Sequence, residues 1–320
     1  MPTPTGSIAA LASSPLLTQY AITKSQDAIR KIGSFIAPLV EVPTLTFRYR
    51  TYSDQQRYRI AATQRNPGDK ATRLGFTASD QFESIIPAAL DFPIPNVEGL
   101  SPEELQWSIM EAQGILADES ALALEYQQIT RAVAALTAVA FSYGNFVNDP
   151  IADPVSGLDA LIKKVKLAVG NGAGIKVLFG TSAFLAFRNH PLVLKRYIVS
   201  IGGSRGSATV GTQSPNIEDV SNMLFTGPKV AMSEMVVDNS APGAAPAPQF
   251  ILDNNVLVFA SNDTPNRMDP SFMKTFATMG GFFRPGVYMT EDQRDQVLKM
   301  DWNTLPLVTN ATAAALLTTT

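Results

Sequence analysis

The chain has no cysteine and a single histidine among 320 residues. The first absence excludes disulfides, thiolate nucleophiles and cysteine-ligated metals together. The second leaves His190 as the only imidazole available as a base or ligand. Charge is scarce as well: Asp, Glu, Lys and Arg make up 17% of the residues, against roughly 25% in an ordinary soluble domain. Such a surface calls for a cover, and self-association is the simplest one. Long apolar runs are also missing. The longest uncharged one, Ala132 to Phe141, is about half of the ~20 residues a membrane helix needs. The opening MPTPTGSIAALASSPLL has no basic stretch before its weak apolar segment, so a secretory signal is not expected. A net charge of −3 and a pI near 5.3 lack the basic footprint of a dedicated DNA binder.

What is present divides the chain into textures, with no internal repeat or heptad array. The expected division is an N-terminal arm over 1–42, an extended loop over 43–95, a helical region over 96–150, an α/β region over 151–250 and returning strands over 251–320. Within the arm, Gln19 to Ile36 has a loose helical spacing interrupted by Gly33. The next stretch contains FRYRTYSDQQRYRI, residues 47–60, with Arg-Tyr-Arg twice. Leu45, Phe47 and Tyr49 alternate with Thr46, Arg48 and Arg50, and Tyr58 and Ile60 alternate with Arg57 and Arg59. That period of two predicts strands with an apolar and a charged face. Asn66-Pro67-Gly68-Asp69 is a turn signal, and the second strand is expected to run to DFPIPN, whose prolines bar a central strand position. A two-stranded ribbon of this kind is marginal alone in water and must lie on another surface.

The spacing after SPEELQW predicts a long helix. Ser101 is the N-cap, Pro102 the first helical residue, and Glu104 closes a capping box. Glu103, Glu104 and Glu111 suit the positive end of the helix dipole. The helical pattern continues to about Ala140, roughly 60 Å at 1.5 Å per residue. From Asp149 the pattern predicts a helix in SGLDALIKKVKLAV, a buried strand in GIKVLFG, short helices in TSAFLAFRNH and NIEDVSNML, and strands in KVAMSEMVV and NNVLVFAS.

Few residues carry chemistry. The glycines of GNGAG follow a helix and precede a strand, the reverse of a dinucleotide loop, and read as a helix C-cap. GGSRGS lacks the Lys-Ser/Thr ending of a phosphate loop. Ser182, in FGTSAF, has half of a nucleophile-elbow pattern. Paired with His190 it gives the inventory of an α/β hydrolase-like enzyme but no supporting spacing, and His190 before Pro191 reads as a helix-end residue. No Asp/Glu/His group has metal-ligand spacing, so neither a catalytic site nor a cofactor is expected.

Charge is distributed unevenly. From Lys24 to Arg73 there are ten basic and four acidic residues, a balance of +6; from Ser101 to Glu125 there are six acidic residues and no basic one, a balance of −6. The ribbon's Arg48, Arg50, Arg57, Arg59 and Lys70 are therefore expected to meet the acidic helix, with Glu103, Glu104 and Glu111, of a neighbouring copy. Exposed pairs contribute only ~0.2–1 kcal/mol each, so they set register more than affinity. The competing reading of the arginines is nucleic-acid contact.

The order of parts resembles the major capsid proteins of tailed bacteriophages, with the Hong Kong ninety-seven fold. The matching segments are YRIAATQRNPGDKATRLGF as the loop tip, DALIKKVKLAVGNGAGIKVLFGTSAFLAFRNHPLVLKRYI as the start of the axial domain, and EDVSNMLFTGPKVAMSEMVV and NNVLVFASNDTP, followed by GVYMTEDQRDQVLKMDWNTLPLVTNATAAALL, as late strands. The resemblance covers most of the chain from about residue 25 and implies an α+β capsid fold: N-terminal arm, extended two-stranded loop, peripheral domain with a spine helix, and α/β axial domain. It further implies hexamers and pentamers in an icosahedral virion shell around double-stranded DNA, assembled in the host cytoplasm. Partners implied are a portal, in some relatives a decoration protein and, since no long charged segment precedes the arm, either a separate scaffolding protein or a scaffolding segment absent from this chain. Some relatives form Lys–Asn cross-links near the loop tip, where Lys70 lies, but no pattern here identifies the Asn or the acid. An encapsulin shell shares the fold and is the nearest alternative.

Overall fold

The structure is a computed structural model that describes residues 32–52, 64, 70, 78–95, 102–140, 153–170, 173–200, 214–241, 245–280, 283–289 and 295–319. It is α+β, with three apolar cores that follow the periodicities of the sequence.

The largest core is built on a five-stranded sheet of order β5-β15-β10-β6-β7. Its strands are β5 (Ala138–Ala140), β6 (Ile175–Gly180), β7 (Lys229–Ser233), β10 (Asn255–Ala260) and β15 (Ala314–Thr318). β6 and β10 are buried over nearly their whole length, as continuous apolar runs in central strands should be. Helix α3 (Pro154–Val169) packs on the sheet through Leu158, Leu161, Ile162 and Val165, spaced three and four apart. Its start is fixed by the Asp153 side chain, which accepts from Ser156 N–H, and by Pro154 at the first position. Its end is Gly170 at φ 65°, whose N–H donates to the Lys166 carbonyl, so the C-cap reading of GNGAG holds at this glycine. Helices α4 (Thr181–Asn189), α5 (Pro191–Ser200) and α6 (Ile217–Met223) complete this region. α6 carries a capping box between Asn216 and Asp219.

The second core lies under the long helix α2 (Pro102–Ala134), 33 residues and so about 50 Å long. Ile109, Ala112, Leu116, Ala117, Ala121 and Leu124 form its buried stripe against a sheet of order β12-β13-β4. The strands are β4 (Ala88–Pro95), β12 (Arg284–Met289) and β13 (Asp295–Trp302). β4 carries Pro93 and Pro95 and is an edge strand, the position that tolerates missing donors. Ser101 lies outside the described residues.

The helix ends six residues before the expected Ala140. Residues 138–140 instead pair in parallel with Leu316–Thr318 of β15. Alanine's helical preference is worth only tenths of a kcal/mol, and a sheet edge next to a buried apolar strand outweighs it.

The third core joins a sheet of order β1-β11-β14, made by β1 (Leu39–Val42), β11 (Met273–Thr278) and β14 (Thr304–Val308), to the root of a two-stranded ribbon. The ribbon is β2 (Thr46–Tyr52) paired antiparallel with β3 (Ala78–Ser84). The expected single second strand is broken: β3 stays in the ribbon, while β4 leaves it to pair with β13. A short helix α1 (Gly33–Ile36) packs against α2, and the hairpin β8 (Val236–Asp238) with β9 (Pro248–Phe250) completes the elements.

Candidate functional site

The ribbon separates two kinds of side chain. Phe47 and Tyr49 are buried, with the Phe47 ring 4.4 Å and the Tyr49 ring 6.2 Å from that of Phe276 on β11. Burial, assisted by the Glu83 charge, pushes the Tyr49 phenol above its ordinary value. The opposite face carries Arg48, whose guanidinium lies 3.4 Å from Asp80 across the ribbon. Arg50 stands in β2 opposite Asp80 in the register. The aromatic residues of FRYR thus anchor the ribbon while Arg48 points away from the core, and part of its charge is met within its own ribbon. Lys70 is exposed; Arg57 and Arg59 lie outside the described residues.

Beside these arginines stands a feature the sequence reading passed over. Phe82, opposite Arg48, is 69% exposed, and Ile86, just past the end of β3, is 78% exposed. Leu45, at the start of the ribbon, is also exposed. Apolar side chains so open at one root are costly to leave in water. The pairing register, with Arg48 opposite Phe82 and Phe47 opposite Glu83, puts Phe82 on the face away from Phe47 and Tyr49.

On α2, Glu103 and Glu104 fall in the first turn and Glu111 is exposed. Asp118, Glu119 and the apolar Ile115 are exposed further along the helix. The buried side holds polar groups: both side-chain amide atoms of Gln113, and Oε1 of Glu125, have no hydrogen-bond partner. Burial pushes the Glu125 carboxyl up to about 7. Gln128 is better placed, with Nε2 donating to Thr275 Oγ1 at 2.8 Å.

Ser182 and His190 are held by different partners. Ser182 Oγ donates to the Asp253 carboxylate, and the Ala183 N–H donates to the Asp253 carbonyl. His190 is buried at the end of α4, and its Nδ1 accepts the Leu192 N–H at 3.3 Å. Ser182 therefore fastens the start of α4 to the 252–253 turn, and His190 is the helix-end residue expected from its place before Pro191. Among the described residues no group of His, Asp or Glu could hold a metal ion, and no helix is long and apolar enough to cross a membrane.

No family model matches the chain, and no curated protein does. Solved structures do match over nearly its full length. A phage-related protein from Bordetella bronchiseptica superposes with a TM-score of 0.68 at 17% identity, covering 96% of this chain and 97% of that one. The capsid of cyanophage P-SCSP1u gives 0.52 at 11% identity, covering 90% and 88%. This is the phage major-capsid fold. The SrpI encapsulin complex from Synechococcus elongatus also matches, with a TM-score of 0.51 at 11% identity, covering 88% and 84%.

Proposed function

We propose that the chain is the structural subunit of an icosahedral phage capsid, assembling as hexamers and pentamers around double-stranded DNA and residing in the virion. The observation that carries this reading is the capsid fold over almost the whole chain. A low charge fraction and an open apolar ribbon root agree with a surface that is covered after assembly. The divisions at 1–42, 43–95, 96–150, 151–250 and 251–320 serve as arm, extended loop, peripheral, axial and returning segments of the subunit.

In this reading the ribbon lies across the acidic helix region of the next copy. Arg48, Arg50, Arg57, Arg59 and Lys70 face Glu103, Glu104 and Glu111. Because Arg48 already has Asp80, the charges set register, and burial of Phe82 and Ile86 supplies most of the affinity. A scaffolding protein, a portal and a decoration protein act with the subunit, and the packaged DNA is held without sequence-specific contacts. No catalytic role is assigned, since the Ser182 hydroxyl is committed to Asp253.

Negative-stain microscopy of the purified protein, alone and with neighbouring gene products, tests the reading. Shells, hexameric rings or tubes are the expected result; a strictly monomeric species under every condition overturns it. Particles that hold a protein cargo and no nucleic acid would assign the subunit to the encapsulin class instead.

A further inference from the structure

Three chain segments meet at one end of the five-stranded sheet and, with the last turn of α3, enclose a cleft of about 460 Å³. Lys176 comes from β6, Lys229 from β7, Asp263 from the stretch after β10, and Lys166 from α3. Asp263 bridges Lys176, at 3.0 Å, and Lys229. Those two hydrogen bonds hold its carboxyl below the usual carboxylate value. One carboxylate thus serves two ammonium groups, while Lys166 stands over the Phe225 ring, 5.9 Å from its centroid. Among the lining charges the surplus is positive.

Two features separate this cleft from an ordinary surface ion cluster. The Lys176 side chain is only 5% exposed; its Nζ is 3.3 Å from the Phe35 carbonyl and 5.0 Å from the Phe35 ring centroid. Its charge is therefore recessed, where a counter-charge is worth more than at a rim. Ser261 lines the same cleft, is buried, and its hydroxyl has no hydrogen-bond partner. An orphaned buried hydroxyl costs about 1–3 kcal/mol unless something answers it. The entry turn is strained in addition. Thr226 sits at φ 68° just before Gly227 at φ 53°, a left-handed conformation that a β-branched residue adopts at a cost of order 1 kcal/mol.

Recessed positive charge beside an unanswered hydroxyl is the chemistry of an oxyanion receptor. We propose that this cleft receives an Asp or Glu carboxylate from a neighbouring copy of the chain. The proposal rests on the shell reading above. A side chain reaches a recessed ammonium; phosphates on a duplex with a persistence length of about 150 base pairs do not bend into a cleft. The contact is heterologous, a pocket on one copy and a carboxylate on another surface of the next, which is the kind of contact that closes rings.

The test is the subunit concentration at which shells form, read by light scattering and microscopy. Lys166→Ala and Lys229→Ala should each raise it about two- to five-fold, the equivalent of ~0.4–1 kcal/mol per contact. Lys166→Glu and Lys229→Glu should raise it further. The gap from wild type should narrow in 1 M salt, where the screening length is about 3 Å. Lys166 reports independently of the Asp263 bridge, and unchanged urea unfolding of its variants excludes misfolding as the cause. Reversed variants that form shells at the wild-type concentration overturn the proposal while the shell reading stands. Normal shells with reduced nucleic-acid content also overturn it, and make phosphate the partner. Wild-type protein that never forms shells overturns the shell reading, and this proposal with it.

Discussion

Glu125 offers a sharp measurement of what the long helix α2 tolerates. Its side chain is buried beneath α2 with Oε1 unpartnered, and burial alone raises its carboxyl from 4.5 to about 7. A folded-state value above the unfolded one means that the fold prefers the protonated acid. Stability from this group is therefore full below pH 4.5, declines as pH rises, and is lost above about pH 7. At 1.36 kcal/mol per unit the whole effect is about 3 kcal/mol, of which about 2 kcal/mol falls between pH 5.5 and 8.5. Glu125→Gln keeps the shape and removes the ionisation. Urea unfolding of the dissociated subunit can be followed by fluorescence of Trp302, which packs against Phe283 in the core under the same helix. The variant should gain about 2 kcal/mol on wild type between those two pH values, roughly a thirty-fold change in the folding equilibrium. Asp263 and Asp269, both held below their usual values, titrate alike in both proteins and cancel in the difference. A difference that stays flat from pH 5.5 to 8.5 would refute the reasoning.

Gly180→Ala should be among the most damaging single changes, because a Cβ there would sit 2.0 Å from the Leu252 carbonyl oxygen and 2.2 Å from that of Asp253; a loss of about 3 kcal/mol or more is expected, seen as insoluble protein or a collapsed urea midpoint. Lys274 is buried and paired with Asp269 at 2.6 Å, so Asp269→Asn should cost ~3–5 kcal/mol by stranding the cation, and adding Lys274→Met should recover most of it; a double variant no better than the single one refutes the pairing. Phe82→Asp with Ile86→Asp should leave subunit unfolding within about 0.5 kcal/mol yet abolish shell formation, and normal shells would remove the ribbon root from the interface. Reversing Arg48, Arg50, Arg57 and Arg59 to Glu should impair assembly, with partial rescue when Glu103, Glu104 and Glu111 become Lys; undisturbed assembly of the reversed arm makes that charge pairing irrelevant.

Legibility in the sequence followed the physical origin of each element. Helix α3, strands β6 and β10 and helix α6 were readable from their helical spacing and unbroken apolar runs, with the GNGAG glycines marking the end of α3; the caps at Asp153 with Pro154 and at Asn216 with Asp219 went unread. The division of FRYR into packing and outward residues was readable for the same reason, since a period of two admits only one arrangement once one face is buried. What escaped depends on distant partners. Ala138–Ala140 is drawn into the sheet by β15, and β11 hides a lysine whose burial makes sense only beside Asp269. Helix α5 begins at Pro191, directly after His190, the C-cap of a helix that ends at Asn189; proline reads as a stop, and here it is also a first residue. Among the candidate contact residues, the arginines were visible as a pattern, whereas Phe82 and Ile86 become conspicuous only once β3 is known to turn them outward. The basic cleft was illegible because Lys166, Lys176, Lys229 and Asp263 come from four separate elements.

The place of β15 in its sheet bears on timing. It lies between β5 and β10, pairing Leu316 with Ala138 and Leu317 with Val256. The five-stranded sheet therefore stays open until residues 314–318 have left the ribosome, roughly 10–35 s after residue 140 at ~5–20 residues per second. Until then β10 presents an unpaired apolar edge, the kind of surface that chaperones bind and other chains invade. Strand pairing across such separations is also slow. The five-stranded sheet is thus completed by a strand that is made long after its partner β5. The order of strands acts as a clock on when the sheet can close.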